Sequence, residues 1–334
     1  MYLKRVAKQL GWRFTPGAYR RLHSYCPQEF AIGIATGPSP FTVDPLPGPR
    51  NPALTREDVT DIPAMAVADP FMCLDGSKWH MFFEVVNHLT RKGEIGLAIS
   101  ADAERWEYQR IVLAEDHHLS YPYVFDWRGA HYMIPESACS GSVPLYEAVD
   151  FPYRWKRIST LLEGGRFVDS SIVFFEDRWW LFTDAGEPTL PELRLFVAKT
   201  PLGPWREHPS SPIRKGDPHR TRPAGRLVVL NDAPLRFAQD VYPVYGRSVH
   251  AFRVTKLTPS DYEETPVSDE PVLGAGSDRW NEDGMHHIDP HPRADGSWIA
   301  CVDGFRLHGS TAARTRSRPP SDVRASDSTN PVVS

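Results

Sequence analysis

The sequence predicts an all-β fold, a five-bladed β-propeller with a short N-terminal helical extension, and three observations carry that expectation. First, a 15-residue hairpin spacing recurs, from Asp69 to Glu84, from Tyr121 to Glu136 and from Asp169 to Asp184. Each copy is an apolar run, a turn and a second apolar run, the pattern of a β-hairpin. Two weaker copies run from Arg222 to Gln239 and from Asp289 to Asp303. The starts at 69, 121, 169, 222 and 289 lie 52, 48, 53 and 67 residues apart, and periods near 50 suggest one four-stranded propeller blade per repeat. Second, the outer half of each unit repeats in step. Gly93-Glu-Ile-Gly-Leu-Ala-Ile-Ser leads to Trp106, Val143-Pro-Leu-Tyr-Glu-Ala to Trp155, and Leu193-Arg-Leu-Phe-Val-Ala to Trp205, with Trp spacings of 49 and 50. The fourth copy, Ser248-Val-His-Ala-Phe-Arg-Val, has Tyr262 where Trp would stand. Third, ten Trp and 32 Pro favour short strands joined by rigid turns over long helices. A pair of β-sandwiches with accidental periodicity is the rival, and two independent markers in register weigh against it.

Within the 334 residues, the expected division is an N-terminal extension over 1–27, the propeller over 28–305 and a disordered tail over 306–334. The run Gln28-Glu-Phe-Ala-Ile-Gly-Ile-Ala precedes blade one and is expected to close the ring as an outer strand of blade five. The tail is rich in Ser, Arg and Pro and has little to bury. Residues 1–25 are basic and mildly amphipathic, but no apolar core of roughly 7–15 residues follows the charges. Neither a secretion signal nor a membrane span is expected, and the location read from this is cytoplasmic. A formal net charge of −4 supplies no basic face for nucleic acid. Cys26, Cys73, Cys139 and Cys301 are scattered with no Cys-x-x-Cys pair, which fits reduced thiols rather than a disulfide framework or a zinc ribbon.

A hairpin returns its last residue to the end where it began. Arranged radially, the five hairpins therefore crowd acids around one mouth. The strand starters are Asp69, Tyr121, Asp169, Arg222 and Asp289, and the returning positions are Glu84, Glu136, Asp184, Gln239 and Asp303. Clustered acids raise one another's pKa, so one stays protonated while another ionises. Glycosidic cleavage needs such a pair, an acid to protonate the leaving oxygen and a partner that attacks or activates water. Asp69, Asp169 and Glu136 are the catalytic candidates. Glu84, His118, Tyr121, Asp184, Arg222, Gln239, His287 and Asp289 are candidate substrate contacts. Arg222 would either hold a carboxylate ionised or grip an anionic group. Each acid also has a plain structural reading, since Asp69-Pro70 is a common turn into a strand and Asp184 and Asp303 precede Gly-containing turns. The histidines at 117–118, 286–287 and 291 match no standard zinc spacing. No metal or cofactor is expected, a structural calcium ion among the carboxylates staying open. No Gly-x-Gly-x-x-Gly, Walker loop, Gly-x-Ser-x-Gly or His-Glu-x-x-His occurs.

Several hexamers carry a family resemblance. Val67-Ala-Asp-Pro-Phe-Met, His118-Leu-Ser-Tyr-Pro-Tyr-Val-Phe, Tyr132-Met-Ile-Pro-Glu-Ser, Gly203-Pro-Trp and Arg222-Pro-Ala-Gly-Arg, with the Gly93 octamer, resemble the propeller domain of the glucosamine inositolphosphorylceramide transferase family. The resemblance runs from about Ile32 to Phe305. That domain is similar in turn to the five-bladed propellers of glycoside hydrolase families 43 and 32. For family 43 the resemblance implies an Asp-Pro general base in the first blade, matched by Asp69-Pro70, a pKa-tuning acid, matched by Asp169, and a Glu acid. It places the family's transferase activity in a separate glycosyltransferase domain. The expected function is a carbohydrate-active propeller that cleaves or transfers a glycosyl unit, with a glycan or glycoconjugate as partner. The alternative is a non-catalytic module that binds a glycan or sugar nucleotide.

Overall fold

Each recurring hairpin folds as an antiparallel pair and acquires outer strands, so the computed structural model, which describes residues 28–187 and 190–307, is a five-bladed β-propeller. Blade one, from the axis outward, is Ala64–Asp75, Lys78–Asn87, Gly93–Ser100 and Glu107–Leu113. Blade two is Ser120–Trp127, Ala130–Glu136, Ser142–Asp150 and Arg154–Glu163. Blade three is Val168–Phe175, Arg178–Asp184, Glu192–Ala198 and Arg206–Glu207. Blade four has an interrupted inner strand, Arg222–Pro223 and Val228–Leu230, followed by Ala233–Asp240, Ser248–Leu257 and Tyr262–Pro266. Among the described residues the helices are 3-10 turns of three residues each. The expected N-terminal helix and most of the expected tail lie outside the described residues.

Ring closure follows the expectation from residues 28–35. Gln28–Ser39 is the third strand of blade five and pairs with Trp298–Leu307, from Gln28 opposite Leu307 to Gly37 opposite Trp298. Gly284–Pro292 is that blade's inner strand and Thr42–Pro45 its outermost. One blade thus contains both ends of the described chain, and it cannot form until the chain between them has.

The repeated tryptophans have a local cause. Trp106 Nε1 donates to Ala103 O at 3.0 Å, Trp155 Nε1 to Pro152 O at 3.0 Å, and Trp205 Nε1 to Pro201 O at 3.2 Å. In each blade the indole packs its apolar body against the sheet and fixes the turn that launches the outer strand. Between blades one to three, Phe71, Phe82, Tyr123, Ile134, Leu145 and Leu181 belong to one continuous buried cluster. Smaller clusters fill the remaining junctions, with Ala98 and Cys301 between blades five and one, and Leu195 and Val254 between three and four.

Blade four replaces part of its apolar core with an ion network. Arg236 is fully buried, and its Nε and Nη2 donate to both oxygens of Glu264 at 2.9 and 2.8 Å. Arg214 adds a bond to Glu264 at 2.6 Å. Burial works against the Glu264 charge, but Arg236 overrides it and holds the carboxyl down at about 2. Glu264→Leu leaves Arg236 buried and unpaired, and should cost about 3–5 kcal/mol in denaturant unfolding. A loss below about 1 kcal/mol would show that water already reaches the guanidinium.

Candidate functional site

One backbone irregularity recurs at the top of the inner strands. Ala68 pairs with Glu84 and Phe71 with Phe82, so Asp69 and Pro70 stand opposite Phe83 alone. The same two-against-one bulge places Tyr121 and Pro122 opposite Pro135, Asp169 and Ser170 opposite Thr183, and Met285 and His286 opposite Gly304. Its first residue has positive φ in three blades, Asp69 at 53°, Tyr121 at 46° and Asp169 at 52°. Asp tolerates this region, whereas Tyr does not enter it cheaply, and such strain is held only where surrounding contacts enforce it. Pro70 and Pro122 suit the second bulge position because they lack the N–H that a broken ladder leaves without a partner.

In blade five the bulge corrects the sequence alignment. The hairpin from Gly284 to Phe305 is longer than those from Ala68 to Glu84 or Ser120 to Glu136. Its bulge is therefore Met285-His286, and Asp289 lies further along the strand, one layer down the axis. There Asp289 pairs with Arg226 Nε and accepts Met72 N–H at 2.6 Å and His291 Nε2 at 3.0 Å. Against its burial, Arg226 and His291 hold that carboxyl far below the usual range. Arg226 Nη2 also reaches Val124 O at 3.0 Å and Met72 O at 3.3 Å, tying blades one, two, four and five together.

Asp169 is 1% exposed and anchored through one oxygen. Its Oδ2 accepts Arg222 Nε and, at 2.9 Å, Gln239 Nε2, which also bonds Pro223 O at 2.8 Å. Asp169 Oδ1 and Gln239 Oε1 are buried without a protein partner. Arg222 is thus engaged as an organiser, with its guanidinium over the Tyr245 ring at 5.0 Å.

Asp69 sits beside a histidine that sequence reasoning passed over. His286 Nδ1 bonds Asp303 Oδ1 at 2.6 Å, leaving Nε2 facing Asp69 Oδ1 at 3.7 Å. Asp303 Oδ2 accepts the Asp69 N–H at 2.9 Å. Burial raises the Asp69 carboxyl well above the usual range, with only His286 countering it. Although burial opposes charge on His286 as well, Asp303 raises that imidazole. Asp69, His286 and Asp303 bring ligand atoms within 4.8 Å of one another. With Nδ1 committed to Asp303, the trio reads as a proton-sharing array. His287 is fully buried with neither ring nitrogen bonded, and burial lowers it to about 4, so it is a neutral ring packed edge-on against Phe71.

Tyr121 is likewise fully buried. Its hydroxyl meets Ser171 Oγ at 2.8 Å and bonds both N–H and O of Gly225. Gly225 has φ +127°, and a Cβ there would fall 1.8 Å from Ile288 O, so only glycine allows blades four and five to touch at this floor. Asp184 Oδ1 accepts Gly186 N–H at 3.1 Å and Glu192 N–H at 3.0 Å, ordering the loop behind the second strand of blade three. Glu136 is half-buried, with Ser120 Oγ at 3.1 Å and Ala138 N–H at 3.0 Å on its two oxygens. Glu84, 8% exposed, faces His118 Nε2 at 3.3 Å, and burial together with Glu136 and Asp169 pushes it up to about 8. The structure thus gathers Asp69, Glu84, Glu136, Asp169, Arg222 and Gln239 at one mouth, and sets Asp289 below them. The motif that would have found His286 is a small residue, two bulge residues and then a ring: Ala68-Asp-Pro-Phe, Ser120-Tyr-Pro-Tyr, Gly284-Met-His-His.

Raised acids carry a stability signature. Between the ordinary Glu value of 4.5 and about 8 the folded state holds a proton on Glu84 that the unfolded chain has released. Stability therefore falls as pH rises through that window, by up to ~1.4 kcal/mol per pH unit for this one group. Glu84→Gln should flatten this share in denaturant titrations. An unchanged pH dependence would place Glu84 in contact with solvent.

The comparisons with known proteins agree with this architecture. The family model described as glucosamine inositolphosphorylceramide transferase 1, N-terminal, matches residues 27–305. The protein named glucosamine inositolphosphorylceramide transferase 1 from Oryza sativa subsp. japonica is 35% identical over 311 residues, covering 86% of this chain and 41% of that protein. Its namesake from Arabidopsis thaliana is 33% identical over 301 residues, covering 84% of this chain and 39% of its own length. The chain therefore spans about two fifths of the curated relatives it matches. Among solved structures, a putative glycoside hydrolase from Parabacteroides distasonis aligns with a TM-score of 0.56 at 10% identity, over 85% of this chain and 99% of that one. An exo-beta-1,3-galactanase from Clostridium thermocellum aligns at 0.53 and 12% identity, over 64% of this chain and 51% of that one. These likenesses establish a shared fold, and the sequence match gives the family: the chain belongs to the N-terminal domain family of glucosamine inositolphosphorylceramide transferase 1.

Proposed function

We propose that the funnel cleaves or transfers a glycosyl unit, with Asp69 and Asp169 as its central carboxyls and Glu136 as a third at the rim. The observation that carries this reading is Asp169. A buried carboxylate fixed by Arg222 and Gln239 through one oxygen, while the other has no partner, is poised to act on a ligand rather than to hold the fold. The protonation states around it are split, since Asp69 and Glu84 are raised and Asp303 is lowered against its burial by His286. Such separation is what acid–base chemistry on a glycosidic bond requires. The relatives' names specify glucosamine and inositolphosphorylceramide, so the substrate class proposed is a sugar-bearing headgroup of that kind. No described helix is long and apolar enough to cross a membrane.

A non-catalytic glycan-binding module is the second reading. What favours it is that most of these acids are already bonded within the protein, with Asp69 and Asp169 at most 5% exposed. A screen of glycans and aryl glycosides on purified protein, with bound ligand identified by mass spectrometry, separates the two. Asp69→Asn and Asp169→Asn should fold normally yet lose turnover by roughly 10²–10⁴-fold. Retained turnover in both removes Asp69 and Asp169 from the chemistry, and a bound glycan that the parent chain does not turn over returns the chain to the binding reading. Arg222→Lys keeps the charge but loses the planar fork that aligns Asp169, and should lower turnover more than ligand affinity. The reverse split would make Arg222 a direct ligand clamp.

A further inference from the structure

Glu84 pairs with Ala68, beside the bulge that turns Asp69 into the funnel. His118, on the segment that leads into blade two, meets it there. The Gly93 N–H donates to His118 Nδ1 at 2.9 Å, so that nitrogen is an acceptor and the ring carries its proton on Nε2. Nε2 faces Glu84 Oε1 at 3.3 Å. That contact sets the neutral imidazole beside the Glu84 carboxyl. Backbone geometry enforces the contact. A Cβ at position 93 would lie 2.1 Å from Leu119 O and 2.7 Å from Glu84 Oε1, so any side chain there would drive the three segments apart.

We propose that Glu84 is the proton donor of the funnel and that His118 is its positioning residue. This assignment rests on the glycosyl cleavage or transfer proposed above and gives the donor role to Glu84 rather than to the catalytic candidate Glu136. Glu136 has both oxygens occupied as acceptors, by Ser120 Oγ and Ala138 N–H. Both bonds use Glu136 as an acceptor. Glu84 faces Glu136, Asp169 and Asp303 from other blades, and Arg222 is the cation opposing them. Asp69 on its own blade is also an acid. Burial among these groups keeps its proton in place to about pH 8. His118 is itself lowered by burial, so at neutral pH it stays an uncharged neighbour that positions the carboxyl without taking its proton. In the step, the O–H bond of the Glu84 carboxyl breaks as the proton passes to the leaving glycosidic oxygen. The C–O bond breaks with its electron pair remaining on that oxygen. Attacking water or an acceptor hydroxyl then releases the proton that restores Glu84.

The test has one arm that needs no substrate. Infrared titration of the purified chain should show a protonated-carboxyl stretch that disappears with a midpoint at about 8 and is absent in Glu84→Gln. In His118→Phe the midpoint should move upward, because the Nε2–H dipole that faces the ionised form is gone, and His118→Gln, which restores an N–H, should return it. A band unaffected by Glu84→Gln overturns the assignment. The second arm uses whichever aryl glycoside the parent chain turns over. Glu84→Gln should lose roughly 10²–10⁴-fold in kcat/KM, more than Glu136→Gln loses, and Glu84→Asp should recover part of it. Full activity in Glu84→Gln with loss in Glu136→Gln overturns the donor assignment and leaves the glycosyl chemistry standing. A parent chain that turns over no glycoside removes both.

Discussion

Two residues standing opposite one at the top of four inner strands set the direction of Asp69, Tyr121, Asp169 and His286, around which the mouth is built. In a regular ladder side chains alternate between the two faces of a blade, and Asp69 and Asp169 would point into an inter-blade junction. The extra residue breaks that alternation, takes the backbone to positive φ and turns the side chain toward the axis. The cost, on the order of 1–3 kcal/mol per strained residue, is offset by contacts that cross blades. Asp303 receives the Asp69 N–H, Tyr121 holds both polar atoms of Gly225, and Arg222 fixes Asp169. Those contacts couple the bulges to one another, so the mouth is assembled by the ring as a whole.

Along the axis the charges form two layers with different chemistry. The lower layer, Arg226 with Asp289 and His291, is satisfied by ion pairs and backbone bonds, and reads as a tie between blades. The upper layer holds more acids than cations. Its imbalance is met by protons retained on Asp69 and Glu84 and by the His286 imidazole between Asp69 and Asp303. A structural network closes on itself. This one leaves Asp169 Oδ1 and Gln239 Oε1 unbonded beside the Arg222 ion pair. Buried unpaired groups of that kind are costly for folding alone, and that cost is the physical basis for proposing a ligand there.

The family relationship and the structural likenesses bear on different questions. Sequence identity of 33–35% over most of the chain ties it to plant proteins more than twice its length. The glycoside hydrolase propellers share the ring at 10–12% identity, where fold survives and side chains do not. The acids at the mouth therefore have to be argued from their own surroundings. Arg222 is the case in point. It opens the blade-four inner strand, whereas blades one to three offer an acid or a phenol near that end, and it forms an ion pair with Asp169.

By itself the sequence determined the architecture, because its two markers are locally caused. The hairpin spacing follows from strand length and turn chemistry, and each tryptophan bonds a carbonyl three or four residues before it, so both repeat wherever the blade repeats. It also brought Asp69, Glu84, Glu136 and Asp169 to one end, since a hairpin returns its last residue beside its first. The tertiary structure alone decided the protonation states and the roles. Burial and charges from other blades raise Glu84 and Asp69, and His286 enters only through a blade-five register that the longer hairpin hides. Asp289, which repeats the Asp-Pro pair of Asp69-Pro70, falls a layer lower for the same reason. Spacing along a chain encodes contacts within a blade, whereas the field at the mouth is a sum over five blades, and no local stretch of sequence contains it.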